Sequence, residues 1–161
     1  MKLPIDFDIC LIYYNSIRVM TYIKEGCAML KNNFYLRIST TGVMEIKTFD
    51  PINDDVNDVI REELNGAFYE VVHPRALSYK FLMLVDDCGA LENLPVNPIA
   101  SEIYGVSVHG CPIFGTAVIM REDMVDGEPD IVGLTDPDCD ELIEEMKKII
   151  VIRNGYSGEV Y

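Results

Sequence analysis

The chain has 161 residues, of which 49% are hydrophobic and 9% aromatic, and it carries 27 acidic against 13 basic side chains for a net charge of −14. That length suits one domain whose core is stable without disulfides or metal, and the composition excludes an intrinsically disordered chain. The charge excludes ordinary nucleic-acid binding, because such a surface repels phosphate backbones; it suits basic partners or cations, with a merely solubilising surface as the alternative.

The charge is unevenly spread. Residues 1–44 hold three acids and five bases, whereas residues 121–145 hold eleven carboxylates and one base, Arg121. Residues 1–33 therefore read as an N-terminal extension to a single acidic domain at 34–161. In the extension, Ile9, Ile12, Tyr13, Ile17, Met20 and Ile23 fit a helical stripe, which favours a helix. Ile17-Arg18-Val19 and Thr21-Tyr22-Ile23 suit a strand equally well. Asn15, Ser16 and Arg18 interrupt the apolar run, so it does not cross a bilayer, and Asp6 and Asp8 stand where a signal peptide needs a basic and then apolar start. Five cysteines, odd in number and without C-x-x-C spacing, read as reduced thiols. The expectation is a cytoplasmic protein.

From Phe34 the elements follow one another closely. Phe34–Ile38 and Val43–Phe49 read as strands around a Thr41-Gly42 turn. Asn53 or Asp54 caps a helix with apolar positions Val56, Val59, Ile60 and Leu64, and Gly66 ends it. Ala67–Val72 is a strand, and Lys80–Val85 is apolar on both faces, as a central strand is. In Leu94-Pro95-Val96-Asn97-Pro98-Ile99-Ala100-Ser101-Glu102-Ile103-Tyr104-Gly105, Asn97 caps a short helix, Pro98 occupies its first turn and Gly105 stops it. Pro112–Met120 is a buried strand, residues 121–134 an acidic loop, and Thr135 caps a last helix that buries Leu142, Ile143, Met146, Ile149 and Ile150 before an Asn154-Gly155-Tyr156 turn. The order predicts an α+β fold, a small mixed or antiparallel sheet with helices packed on one face.

Several features recur together. They are Gly66-Ala67-Phe68-Tyr69-Glu70-Val71-Val72; an apolar strand before Asp86-Asp87 and Gly89; Leu94-Pro95 with Asn97, Ala100 and Tyr104; Gly115-Thr116-Ala117-Val118-Ile119; and Leu134-Thr135-Asp136. In this order, residues 44–146 resemble a family known as domain of unknown function 3846. The resemblance implies an accessory protein of phages, plasmids or conjugative elements, and implies no reaction. One position departs from it: Pro98 follows Asn97 where the family has a basic residue, so an anion held there is not expected.

Catalytic constellations are sparse. His73 and His109 lack neighbours at metal-ligand spacing, and Ser101 lacks a Gly-x-Ser-x-Gly elbow. Cys111 and His109 form the one adjacent nucleophile–base pair, but Pro112 follows at once. Gly105, Gly110 and Gly115 imitate a phosphate loop without its Lys-Ser/Thr. Asp126-Gly127-Glu128-Pro129-Asp130 lacks the oxygen spacing of a calcium loop. Three functions follow as expectations. The first is a non-enzymatic accessory protein, without cofactor or metal, whose acidic face binds a basic protein. The second is a DNA-mimicking inhibitor whose last helix offers Asp136, Asp138, Asp140, Glu141, Glu144 and Glu145 as a charge ladder. The third is a small enzyme or ligand-binding domain using Asn97, Ser101, Glu102 and Tyr104 around Cys111.

Overall fold

A computed structural model describes the backbone of residues 10–14, 17–21, 32–66 and 68–156, and side-chain burial for 32–66 and 68–149. In chain order the elements are β1 (Cys10–Tyr14), β2 (Ile17–Thr21), β3 (Phe34–Ile38), β4 (Met44–Thr48), α1 (Val56–Glu63), β5 (Tyr69–Val72), β6 (Phe81–Asp86), α2 (Pro98–Tyr104), α3 (Val106–His109), β7 (Ala117–Val125), β8 (Glu128–Val132) and α4 (Asp136–Tyr156). The strands form one sheet in the order β1-β2-β4-β3-β7-β6-β5, with β8 also paired to β7. Strands β3 to β8 pair antiparallel throughout, and β2 meets β4 in a single parallel pair, Val19 with Met44. The fold is α+β, as expected.

Alternation along the strands divides the core in two. Phe34, Leu36 and Ile38 of β3, Phe81, Met83 and Val85 of β6, and Ala117 and Ile119 of β7 lie with Ile99 and Ile103 of α2 and Cys139, Leu142 and Met146 of α4. Tyr35, Leu84, Val118 and Met120 point the other way and lie with Ile60 and Leu64 of α1. The helices therefore cover both faces rather than one. The continuous apolar run of β6 requires this, since neither of its faces can be left in water.

The cap of α1 is Asp55 rather than Asn53 or Asp54, and three further sequence readings are corrected. The helix favoured for the extension is a pair of strands: β1 and β2 run antiparallel from Cys10↔Thr21 to Tyr14↔Ile17, and their β-branched and aromatic residues prevail over the helical stripe. The rest of residues 1–33, apart from Asn32 and Asn33, lies outside the described residues. The acidic loop at 121–134 is a hairpin, in which the second half of β7 turns through Asp126 (φ 52°) and Gly127 (φ 87°) into β8. Positive φ at both positions is the Asp-Gly signature of a type I′ turn, and its carboxylate-rich strands disguise it as a loop. The expected turn at 154–156 is helical, as α4 runs on to Tyr156.

Residues 32–34 meet 133–134 very closely. Phe34 and Leu134 exchange backbone hydrogen bonds of 3.2 and 2.7 Å. A Cβ on Gly133 would sit 2.7 Å from the Asn32 carbonyl carbon and 2.8 Å from Phe49 Cε1. Because backbone cannot yield as a side chain does, Gly133→Ala should cost about 1–3 kcal/mol. This would appear as a lower urea midpoint at unchanged slope. An unchanged midpoint would show that the approach is looser than described.

Candidate functional site

The Asn97 constellation is a structural joint. Asn97 is 0% exposed. Its Oδ1 accepts from Ala100 N at 3.0 Å, capping α2, and its Nδ2 donates to Ile38 O and Gly115 O, both at 3.0 Å. Ser101 Oγ donates to Asn97 O at 2.6 Å and accepts from Ile113 N at 2.9 Å. These bonds occupy the amide and hydroxyl groups, leaving them little capacity for a ligand. Glu102 is exposed. Tyr104 stacks on His109 with ring centroids 4.3 Å apart, and the exposed Cys111 Sγ lies 3.7 Å from Pro112 O. Tyr104 and Cys111 line one cleft together, whereas Asn97, Ser101 and Glu102 are not part of its lining. The glycine series also has local causes: Gly105 and Gly110 are the left-handed caps of α2 and α3, and Gly115 (φ 77°) lies against Leu94.

Helix α4 does not present its carboxylates as a free ladder. Asp138 is buried and closes the capping box, accepting from Thr135 N at 2.9 Å and Thr135 Oγ1 at 2.8 Å. Lys80 Nζ reaches Asp138 at 2.9 Å and also pairs with Glu141. Arg121 Nε lies 3.1 Å from Asp138 Oδ2, and its Nη2 lies 3.0 Å from Asp123. Glu145 accepts from Ser78 N, and Glu144 pairs with Lys147. Asp136, half-buried, and the exposed Asp140 complete the set. Much of the predicted ladder thus holds α4 to the sheet.

Nor is the acidity confined to residues 121–145. Exposed carboxylates also stand at Asp50, Asp54, Asp55, Asp58 and Glu62 before and along α1, and at Glu70, Asp87 and Glu92 around β5 and the β6 turn. Several cations are spent internally, as when Arg37 and Lys47 both pair with Glu63 under α1. The expected single acidic face is replaced by several acidic patches. Among the described residues, no group of three His, Cys, Asp or Glu side chains is arranged to hold a metal ion. No helix among them is long and apolar enough to cross a membrane.

The feature missed in the sequence is an edge. β5 pairs only with β6 among the described strands, and Phe68, Val71 and Tyr79 beside it are 77%, 41% and 78% exposed. At its Phe68 end a cleft of about 280 Å³ is lined by Leu64, Phe68, Asp86, Asp87, Glu92 and Leu94. On the opposite face, a cleft of about 140 Å³ includes Glu70, Asp86, Asp87, Tyr104 and Ile113. A hydrogen bond to Asp87, and that carboxylate's field, push the Cys88 thiol above its ordinary pKa. Edge exposure depends on which strands pair, so no local sequence signal marks it. Comparison of the chain with family models, curated proteins and solved structures returns no match.

Two outcomes separate structural from binding roles. Asn97→Ala removes two buried hydrogen bonds to main-chain carbonyls and the cap bond to the Ala100 amide, and should cost about 3 kcal/mol in urea unfolding. A fully stable alanine variant would free Asn97 for a binding role. For Asp138, burial raises the pKa, but hydrogen bonds from Thr135 and Lys80 outweigh it and hold the group below the ordinary carboxylate range. Its stabilisation is therefore complete above the unfolded pKa, about 4, and is lost as pH falls through the lower folded value. Thermal unfolding should show an acid limb below about pH 4 that is shallower in Asp138→Asn. A limb of equal steepness would exclude this group as its source.

Proposed function

We propose that this protein is a non-enzymatic binding module that recognises a basic protein through its carboxylate-rich surface. The observation that carries the reading is the disposition of charge. Arg37, Lys47, Lys80 and Arg121 are consumed by internal ion pairs, and carboxylates dominate what faces water. A field of that sign attracts cationic partners and repels nucleic acid. The fully bonded Asn97 and Ser101, and the His109 ring stacked on Tyr104, give no support to a catalytic role at those positions. The accessory role in a mobile element rests on the resemblance of residues 44–146. The DNA-mimic reading is not carried forward, since its helix spends Asp138, Glu141, Glu144 and Glu145 on contacts within the chain.

Affinity capture from extract of the native host tests this. The expected partner is basic and is released as ionic strength rises from about 0.05 to 0.5 M, where screening shortens from beyond 10 Å to a few ångströms. Retention unchanged at about 1 M salt, or no basic protein enriched over a charge-reversed variant, would overturn the reading.

A further inference from the structure

The β5 edge answers the question that the binding reading leaves open: where the partner sits and in what conformation. An edge strand offers a row of backbone N–H and C=O groups to any extended chain, and sheets ordinarily blunt such edges with lysine, proline or a bulge. Tyr69-Glu70-Val71-Val72 has no lysine or proline, and its one charge, Glu70, is acidic and so repels acidic chains rather than basic ones. Phe68 and Val71 stand exposed along it, and Tyr79 stacks on His73 just beyond, with ring centroids 5.0 Å apart.

The charge around this edge has one sign. Glu70 lies on the strand, and Asp86 and Asp87 close β6 beside Phe68, whose O accepts from Asp87 N at 3.1 Å. The two clefts lie on opposite faces of the sheet. The larger opens on the α1 side with Leu64, and the smaller on the α2 side with Val72, Val85 and Ile113. Asp86 and Asp87 line both. A strand laid against β5 would send successive side chains to opposite faces, so two adjacent basic residues would enter the two clefts. Their aliphatic stems would lie on Phe68 and Leu94 on one side and on Tyr104 and Ile113 on the other, with the charged ends at the carboxylates.

We propose that the β5 edge, from Phe68 to Val72, is a peptide-binding site that takes an extended segment with adjacent lysine or arginine residues by strand addition. The inference rests on the binding reading above and names its surface. A second copy of this chain is disfavoured as the occupant, because pairing β5 with itself would bring Glu70, Asp86 and Asp87 of two acidic molecules together.

The test uses a fluorescein-labelled Val-Lys-Lys-Val-Lys-Lys-Val peptide, with anisotropy read on the full chain at about 0.15 M salt, where screening acts over roughly 8 Å. The peptide should bind. N-methylating alternate backbone amides on the pairing edge, which removes their neutral hydrogen bonds to β5 carbonyls, should weaken binding about tenfold or more. Asp87→Lys should do the same, while Glu128→Lys, an equal change of charge on β8, which lies across β7 from β6, should change affinity by less than about twofold. Both substituted positions are exposed, and far-ultraviolet circular dichroism confirms that the variants fold. No binding, indifference to N-methylation, or equal weakening by both charge reversals would overturn the proposal. So would a dimer in sedimentation that Val71→Lys dissociates, since it would give the edge to a second copy. If salt-sensitive capture of a basic partner survives Asp87→Lys, the edge proposal alone fails. If no basic partner is captured at all, the parent reading fails.

Discussion

The central strands have no wet face, and the rest of the molecule follows from that constraint. Phe81–Val85 of β6 and Ala117–Met120 of β7 are buried on both sides, pairing from Phe81↔Arg121 to Val85↔Ala117. Each buried side chain gains roughly 1.5–3 kcal/mol over an exposed one only if something covers it. Two covers are therefore needed. On one face α2 and α4 supply Ile99, Ile103, Leu142 and Met146; on the other α1 supplies Ile60 and Leu64. Asn97 then locks the first cover to the sheet. It caps α2 while bonding to the carbonyls of Ile38, at the end of β3, and Gly115, at the approach to β7.

The same packing explains why an acidic sequence folds into an even more one-sided surface. Glu63 seats α1 by accepting from Tyr35 at 2.7 Å and pairing with Arg37 and Lys47. Asp138 seats α4 through Thr135, Lys80 and Arg121. Burial alone would raise both carboxyl pKa values, yet the bonded partners hold both below the ordinary range. Each joint withdraws cations from the surface, so the carboxylates left outside meet little opposing charge. Like charges even face one another on the hairpin, where Asp123 pairs with Asp130 and only Arg121 relieves them. Such an arrangement costs stability in isolation and is relieved by an approaching cation.

What could be read from the sequence was what is encoded locally. Asn97, Pro98 and Gly105 place α2 to the residue, because a cap, a first-turn proline and a left-handed stop act within one helix. Thr135 and Asp138 likewise announce α4. The α+β class followed from the order of elements. The failures were of two kinds. At 126–127 a local signal was present, but the surrounding acids outweighed it in the reading. In the extension and for α1, the outcome depends on tertiary pairing: β2 meets β4 only at Val19↔Met44, and α1 covers a face that no single segment reveals. The candidate residues divide along the same line. Asn97, Ser101 and Asp138 are chemically prominent because the fold uses them, whereas the β5 edge is made of ordinary residues.

This contrast bears on where recognition resides. The hairpin strand β8, which continues along the β3 side of β7, carries Pro129 and a row of acids that discourage another chain from pairing. β5 carries a single acid, Glu70, and no proline, and four residues is too short a strand to recruit a neighbour through backbone bonds alone. In the proposed strand addition, selectivity would come from side chains, with the carboxylates of Glu70, Asp86 and Asp87 favouring basic ones over acidic ones. An edge that is short and one-signed in charge disfavours pairing with another copy of this chain more than pairing with a segment of opposite charge.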